Sequence, residues 1–234
     1  MSTISGADGC RGGWVVLTKD LESGVISWRL AANAHDLIYS HPTPEITALD
    51  IPIGLTEHGP RECDLMARQL LGPGRAGSVF PAPIRPILYA VSYEEACEIS
   101  ARIDRKKISR QTYGIIPKIR DIDAVLRQDP KLQARVREVH PEICFYHLAG
   151  QRPLQHSKKK PEGRQERYEL LYPIFGHWLQ AALSERRELS SQEDDVLDAF
   201  AALWTAERIA MNSFHVIPAS PPRDSYGLCM EIVA

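Results

Sequence analysis

The sequence predicts an α/β fold built on a mixed sheet, and three observations carry that prediction. Three short apolar segments separated by turn residues fill the first thirty positions. A near-continuous apolar run from Glu45 to Pro52 follows a short helical segment. Asp194 to Met211 carries a long apolar stripe at helical spacing, with Val196, Leu197, Phe200, Leu203, Trp204 and Ile209 on one side.

Taken in order, Thr3 to Asp8 is a strand candidate, and after Gly9-Cys10-Arg11-Gly12-Gly13 a second runs from Trp14 to Thr18. Leu21 to Gly24 offers another turn before a third strand, Val25 to Leu30. Strands joined this tightly are most simply antiparallel, because a parallel crossover needs about a dozen residues or more. Ala34 to Tyr39 reads as a short helix closing at His41-Pro42. The run ending at Asp50-Ile51-Pro52 has the character of a strand buried on both faces. Arg61 to Leu71 reads as a helix stopped by Gly72-Pro73-Gly74. Pro81, Pro83 and Pro86 then forbid regular structure and predict a loop over Ser78 to Pro86. Helices are expected at Tyr93 to Ser100 and Ile119 to Leu126. A fifth strand is expected over Val136 to Leu148, around His140 to Phe145, and a polar loop over Gln151 to Gln165. Helices are expected again at Tyr168 to Phe175, Trp178 to Leu183 and Asp194 to Met211. No repeat or linker divides the chain, so the expectation is one domain over residues 1–234, with a helical insertion at about 56–134.

Composition narrows the function classes. With 234 residues, 44% of them hydrophobic and 25% charged, the chain can build a sizeable core and is unlike disordered or disulfide-scaffold sequences. Its 28 Lys and Arg against 30 Asp and Glu leave a net charge of -2, so any polyanion site must come from local segregation of charge. Five scattered cysteines, without a Cys-x-x-Cys pair or zinc spacing, predict a reducing cytoplasm. No basic-then-apolar leader and no apolar run near the ~18–20 residues of a membrane span are present, so neither secretion nor a membrane partner is expected.

The acids sit in unusual places. Asp8 closes the first strand, Asp50 closes the buried one, Glu142 falls inside the fifth strand candidate, and Asp195 and Asp198 open the late helix three positions apart, on one face. Ala199, Ala201 and Ala202 let that helix lie close to a sheet. Carboxylates gathered in a partly buried place need a cation to offset them, and hard oxygen ligands without thiolate favour Mg²⁺ or Mn²⁺. Each acid also has a structural alternative: Asp194 and Asp195 as helix caps, Asp8 as a turn residue, Asp50 as an acceptor for loop amides.

The series Gly6-Ala7-Asp8-Gly9-Cys10-Arg11-Gly12-Gly13-Trp14, Asp50-Ile51-Pro52-Ile53-Gly54-Leu55, Arg61-Glu62-Cys63-Asp64, Ser78 to Pro83, Pro117-Lys118-Ile119-Arg120, His140-Pro141-Glu142 and Asp194 to Ala199 resembles the motifs of domain-of-unknown-function family 429. That family is described as predicted nucleases of ribonuclease H-like fold, and the resemblance spans about residues 5 to 210. It implies a ribonuclease H-like sheet of five strands, the first three antiparallel, flanked by helices. The Asp195-Val196-Leu197-Asp198-Ala199 pattern is also similar to that of Holliday-junction resolvases of the same fold class, which are often dimers. By this resemblance the catalytic set is Asp8, Asp50, Glu142, Asp195 and Asp198. Asp8, Asp50 and Asp195 or Asp198 would hold two divalent ions acting on a nucleic-acid phosphodiester. Glu142 departs from the simplest such triad, as an added ligand or as an acceptor for Arg.

Seven Lys and Arg between Arg102 and Arg120, against the single acid Asp104, could contact a phosphate backbone, with Lys118 and Arg120 as candidate contacts and Arg11 beside Asp8 as another. Lys158-Lys159-Lys160 begins a second basic run. His140 reads as a strand-end histidine bonded to backbone. Gly9 to Gly13 does not match a phosphate-binding P-loop. Two other readings stay open: an ATP-dependent small-molecule kinase or phosphohydrolase of the actin-like class, and a non-catalytic binding protein on the same fold.

Overall fold

The computed structural model describes residues 2–234. Strand β1 (Thr3–Cys10) turns through Arg11 and Gly12 into β2 (Gly13–Asp20), and a second turn leads into β3 (Ile26–Ala31). Each neighbour in this meander is antiparallel, with Asp8 opposite Val15 and Trp14 opposite Ala31. After the short helix α1 (Ala34–Ile38), β4 (Ile46–Leu49) pairs parallel with β1 in a register that sets Leu49 beside Ala7. Helices α2 (Glu62–Arg75), α3 (Tyr93–Asp104) and α4 (Arg110–Gln128) intervene before β5 (Val136–Glu138), which is parallel to β4. The strands form one mixed sheet in the order β3-β2-β1-β4-β5. Helices α5 (Pro141–Leu148), α6 (Pro161–Phe175), α7 (His177–Ser184) and α8 (Glu193–Ala210) follow, and β6 (Val216–Ile217) with β7 (Ile232–Val233) makes a small antiparallel pair.

The sheet is buried on both faces. Ile4, Val15, Leu17 and Ala48 pack with Leu197, Phe200 and Leu203 of α8 on one side, while Ala7, Val16 and Leu49 pack with Leu37, Ile119 and Ile122 on the other. Burial of each of the larger of these side chains contributes about 1.5–3 kcal/mol. Strand alternation puts Ile4, Gly6 and Asp8 on the α8 face of β1. The approach of α8 there depends on glycine, because a Cβ on Gly6 would stand 2.1 Å from Leu203 N and 2.6 Å from Ala199 O. The buried alanines Ala199, Ala202 and Ala206 let the backbone come this close.

Three expectations are corrected. The apolar stretch after Val136 is a three-residue strand followed by helix α5, so Glu142 stands in a first helical turn rather than in a strand. Pro141 at the first helical position presets the helical φ, and a buried apolar run such as Ile143-Cys144-Phe145 has no periodicity to separate helix from strand. The basic stretch between the two expected middle helices is largely helical, because α4 starts at Arg110, capped by Ser109, whose side chain accepts the Thr112 N–H. The polar loop ends early, at Pro161, where α6 begins. Among the described residues, no helix is long and apolar enough to cross a membrane.

Candidate functional site

Asp8 lies near the end of β1, and Asp50 follows β4, its N–H donating to Ala7 O at 3.1 Å, so the parallel pairing brings both carboxylates to the same edge of the sheet. The contact of α8 with Gly6 sets Asp198 beside them. Oxygens of Asp8, Asp50 and Asp198 lie within 4.8 Å of one another. Asp198 is wholly buried and Asp8 nearly so. Burial pushes the Asp8 carboxyl well above its ordinary value, and the charges of Asp50 and Asp198 push it further. Burial raises Asp50 to about 7, against the pull of Lys158, and Asp198 is raised by the same desolvation.

Partners are unevenly shared among these three acids. Asp8 Oδ1 accepts the Gly9 N–H at 2.7 Å, and the Lys158 ammonium donates to Asp198 Oδ2. Asp198 Oδ1 is buried without any hydrogen-bond partner. Burial alone would lower the Lys158 ammonium, yet Asp198, Asp8 and Asp50 together hold it well above its ordinary value. Three carboxylates gathered this closely, one of them with a buried unsatisfied oxygen, fit a bound divalent cation, and an all-oxygen donor set fits Mg²⁺ or Mn²⁺.

The other predicted residues divide. Asp195 borders the cleft, but its Oδ2 accepts the Gln192 N–H at 2.8 Å in a capping box, outside the triad. Asp194 is paired with Lys159 at 3.1 Å. Glu142 is closed off by Arg75 at 2.7 Å and by Arg167; burial would raise it, and the two guanidiniums outweigh burial and hold it below its ordinary value. That arrangement is the Arg-acceptor role rather than the added-ligand role. Lys118 lines the cleft, its ammonium 5.3 Å from the Trp14 ring centroid. Arg120 points elsewhere, donating from Nε and Nη2 to Leu88 O at 2.9 and 2.6 Å, and is corrected to a structural residue. Arg11 is exposed on the first hairpin and does not border the cleft. His140 caps α5, its Nδ1 accepting the Glu142 N–H at 3.2 Å; burial lowers its pKa to about 4 and keeps the ring neutral.

Asp8 and Asp50 line a cleft of about 520 Å³, with Asp198 buried behind them, and its wall also includes Gln111, Thr112, Lys118, Lys158 and Phe80. A smaller hollow of about 250 Å³ shares Phe80 and Thr112 with it and carries Lys106 and Lys107. Sequence reasoning missed three residues of this site: Lys158, Arg75 and Arg167. Lys158 was visible only as part of a basic run, and nothing in the spacing ties it to an acid forty positions later.

Behind the cleft, Arg61 is 2% exposed and pairs with Asp64 at 2.6 Å and Glu138 at 2.7 Å. It also donates to Ile53 O at 3.2 Å, while Glu138 Oε2 accepts the Ile53 N–H at 2.6 Å. This buried knot fixes the loop that leaves Asp50.

A family model described as Protein of unknown function (DUF429) matches residues 6–223. No curated protein and no solved structure matches the chain.

Proposed function

We propose that this chain, which belongs to the DUF429 family of proteins of unknown function, is a divalent-metal-dependent nuclease that hydrolyses phosphodiester bonds in nucleic acid. The single observation that carries the reading is the triad of Asp8, Asp50 and Asp198, whose oxygens lie within 4.8 Å of one another, with Asp198 Oδ1 buried and unsatisfied. The sheet order, with acids at the ends of the adjacent parallel strands β1 and β4 and a third on the helix crossing β1, is read as a ribonuclease H-like arrangement.

Mg²⁺ or Mn²⁺ held by the triad would supply Lewis-acid stabilisation of the negative charge that develops on a phosphoryl group. The chain's own residues do the rest. Lys118 and Lys158 present ammonium groups to the cleft, where they bind phosphate oxygens. Gln111 and Thr112 line the same wall with hydrogen-bonding groups, and Phe80, 41% exposed, offers a face on which a base stacks. Lys106 and Lys107, in the adjoining hollow, extend the basic track along the backbone of a longer strand. Neutral His140 keeps the start of α5 in place beside the cleft through its bond to Glu142 N–H.

The test is hydrolysis of single-stranded, duplex and branched DNA and of RNA with Mg²⁺ or Mn²⁺. Cleavage is expected from the wild type and is expected to vanish in Asp8→Asn and Asp198→Asn with the fold intact by circular dichroism. Wild-type cleavage that persists unchanged in Asp8→Asn refutes the proposal.

A further inference from the structure

Resting on the metal-dependent reading above, we propose that the site takes one divalent ion and that Lys158 supplies the second positive charge at the phosphate. Two neighbouring ions need a carboxylate that bridges them and further carboxylates to complete each shell. Here the two oxygens of Asp198 are already divided. Oδ2 belongs to the Lys158 ammonium and Oδ1 is free. Of the other acids bordering the cleft, Glu142 is held by Arg75 and Arg167 and Asp194 by Lys159, while Asp195, which caps α8 through the Gln192 N–H, stands outside the cluster of triad oxygens. Among the described residues, what remains open to an ion is one cluster of oxygens from Asp8, Asp50 and Asp198.

Charge gives the same answer. Three carboxylates and one ammonium sum to minus two, which a single divalent ion neutralises. A second ion would leave net positive charge in a buried place.

Lys158 is also held in position rather than merely near. Its carbonyl accepts from Arg164 Nη1 at 3.5 Å, and the neighbouring Lys159 carbonyl accepts from the same nitrogen at 3.3 Å. Two residues back, the His156 carbonyl accepts from Arg167 Nη1 at 3.3 Å. The Ser157 carbonyl lies so close to α6 that a Cβ on Gly163 would stand 2.1 Å from it. Helix α6 therefore pins the backbone on both sides of Lys158. Arg167 binds Glu142 and the Lys158 loop at once, so the residue that occupies one candidate ligand also steadies the lysine. A surface lysine that met an acid by chance would have no such support. A fixed ammonium at this place has the chemistry to stabilise a non-bridging phosphate oxygen, as a second cation would.

The experiment counts ions. Mn²⁺ is titrated into metal-free wild type, Lys158→Met, Lys158→Arg and Asp198→Asn, with free Mn²⁺ read by electron paramagnetic resonance and melting temperature followed in parallel. One Mn²⁺ per chain is expected for wild type, Lys158→Arg and Lys158→Met, and none held tightly by Asp198→Asn. DNA cleavage by Lys158→Met at saturating Mn²⁺ should fall at least tenfold, with partial recovery in Lys158→Arg. Two ions in the wild type overturn the one-ion assignment and leave the nuclease reading standing. A single ion together with undiminished cleavage in Lys158→Met overturns the role of the lysine. No Mn²⁺ bound by folded wild type overturns the metal-dependent reading itself and this inference with it. Should Lys158→Met fail to fold, the wild-type ion count decides alone.

Discussion

Asp50→Asn should make the metal-free protein more stable, by an amount that grows with pH. Asp50 is raised from an ordinary 3.8 to about 7 by burial. An acid whose pKa rises on folding binds its proton more tightly in the native state, so its ionisation costs nothing below pH 3.8 and the cost grows until about pH 7. At 1.36 kcal/mol per unit, the whole window is worth about 4 kcal/mol, of which about 3 kcal/mol falls between pH 5 and pH 8. Coulomb repulsion gives the same order: two carboxylates whose oxygens lie within 4.8 Å of each other repel, in an effective dielectric of about 20, by about 3 kcal/mol. Asparagine has the same shape, carries no charge, and brings donors that Asp8 and Asp198 can accept. In EDTA the melting temperature of Asp50→Asn should exceed that of wild type by a margin that widens between pH 5 and pH 8 by about 6–12 °C. Saturating Mn²⁺ at pH 8 should raise the wild type and leave the variant unmoved. A variant no more stable than wild type at pH 8 in EDTA, or a margin equal at both pH values, would refute the reasoning that burial, with neighbouring carboxylates adding to it, penalises the Asp50 charge.

Two more changes test how the fold holds the site. Gly6→Ala puts a Cβ 2.1 Å from the backbone of Leu203, so α8 must move by about 1 Å or more; stability should fall by about 1–3 kcal/mol or more. Mn²⁺ should then lose its stabilising effect in a thermal melt, whereas a variant that binds Mn²⁺ like wild type would show that α8 need not touch β1. Arg61→Met leaves Asp64 and Glu138 buried without their cation, which should cost about 3–5 kcal/mol in urea unfolding. Adding Glu138→Gln should recover part of that loss, and a loss below about 1 kcal/mol for the single variant would contradict the buried pairing.

How far the sequence discloses this site follows from which physical signal each residue carries. Asp8 and Asp50 were legible because each ends a strand of small or apolar residues, where an acid is costly without a purpose. Ala199, Ala201 and Ala202 announce close packing of the late helix, which brings Asp198 to them, whereas Gly6, on which that approach depends, gives no sign of it in the sequence. Glu142 was placed in the wrong element because a short run buried on all sides has no period; Pro141, which favours a first helical turn, was the signal that could have corrected it. The basic stretch failed differently. Counting charge from Arg102 to Arg120 ignores direction, yet Lys118 and Arg120 are two positions apart on α4 and so point about 200° apart around the helix axis. Only one of them can face the cleft, and it is Lys118, while Arg120 turns back to the Leu88 carbonyl. Lys158 is the deeper case. It reaches Asp198 from a loop, across a separation no periodicity encodes, and its position depends on Arg164, Arg167 and Gly163 of a helix that follows it in the chain. Local patterns disclose residues that a regular element places; a residue placed by another element's side chains becomes legible only when the elements are assembled.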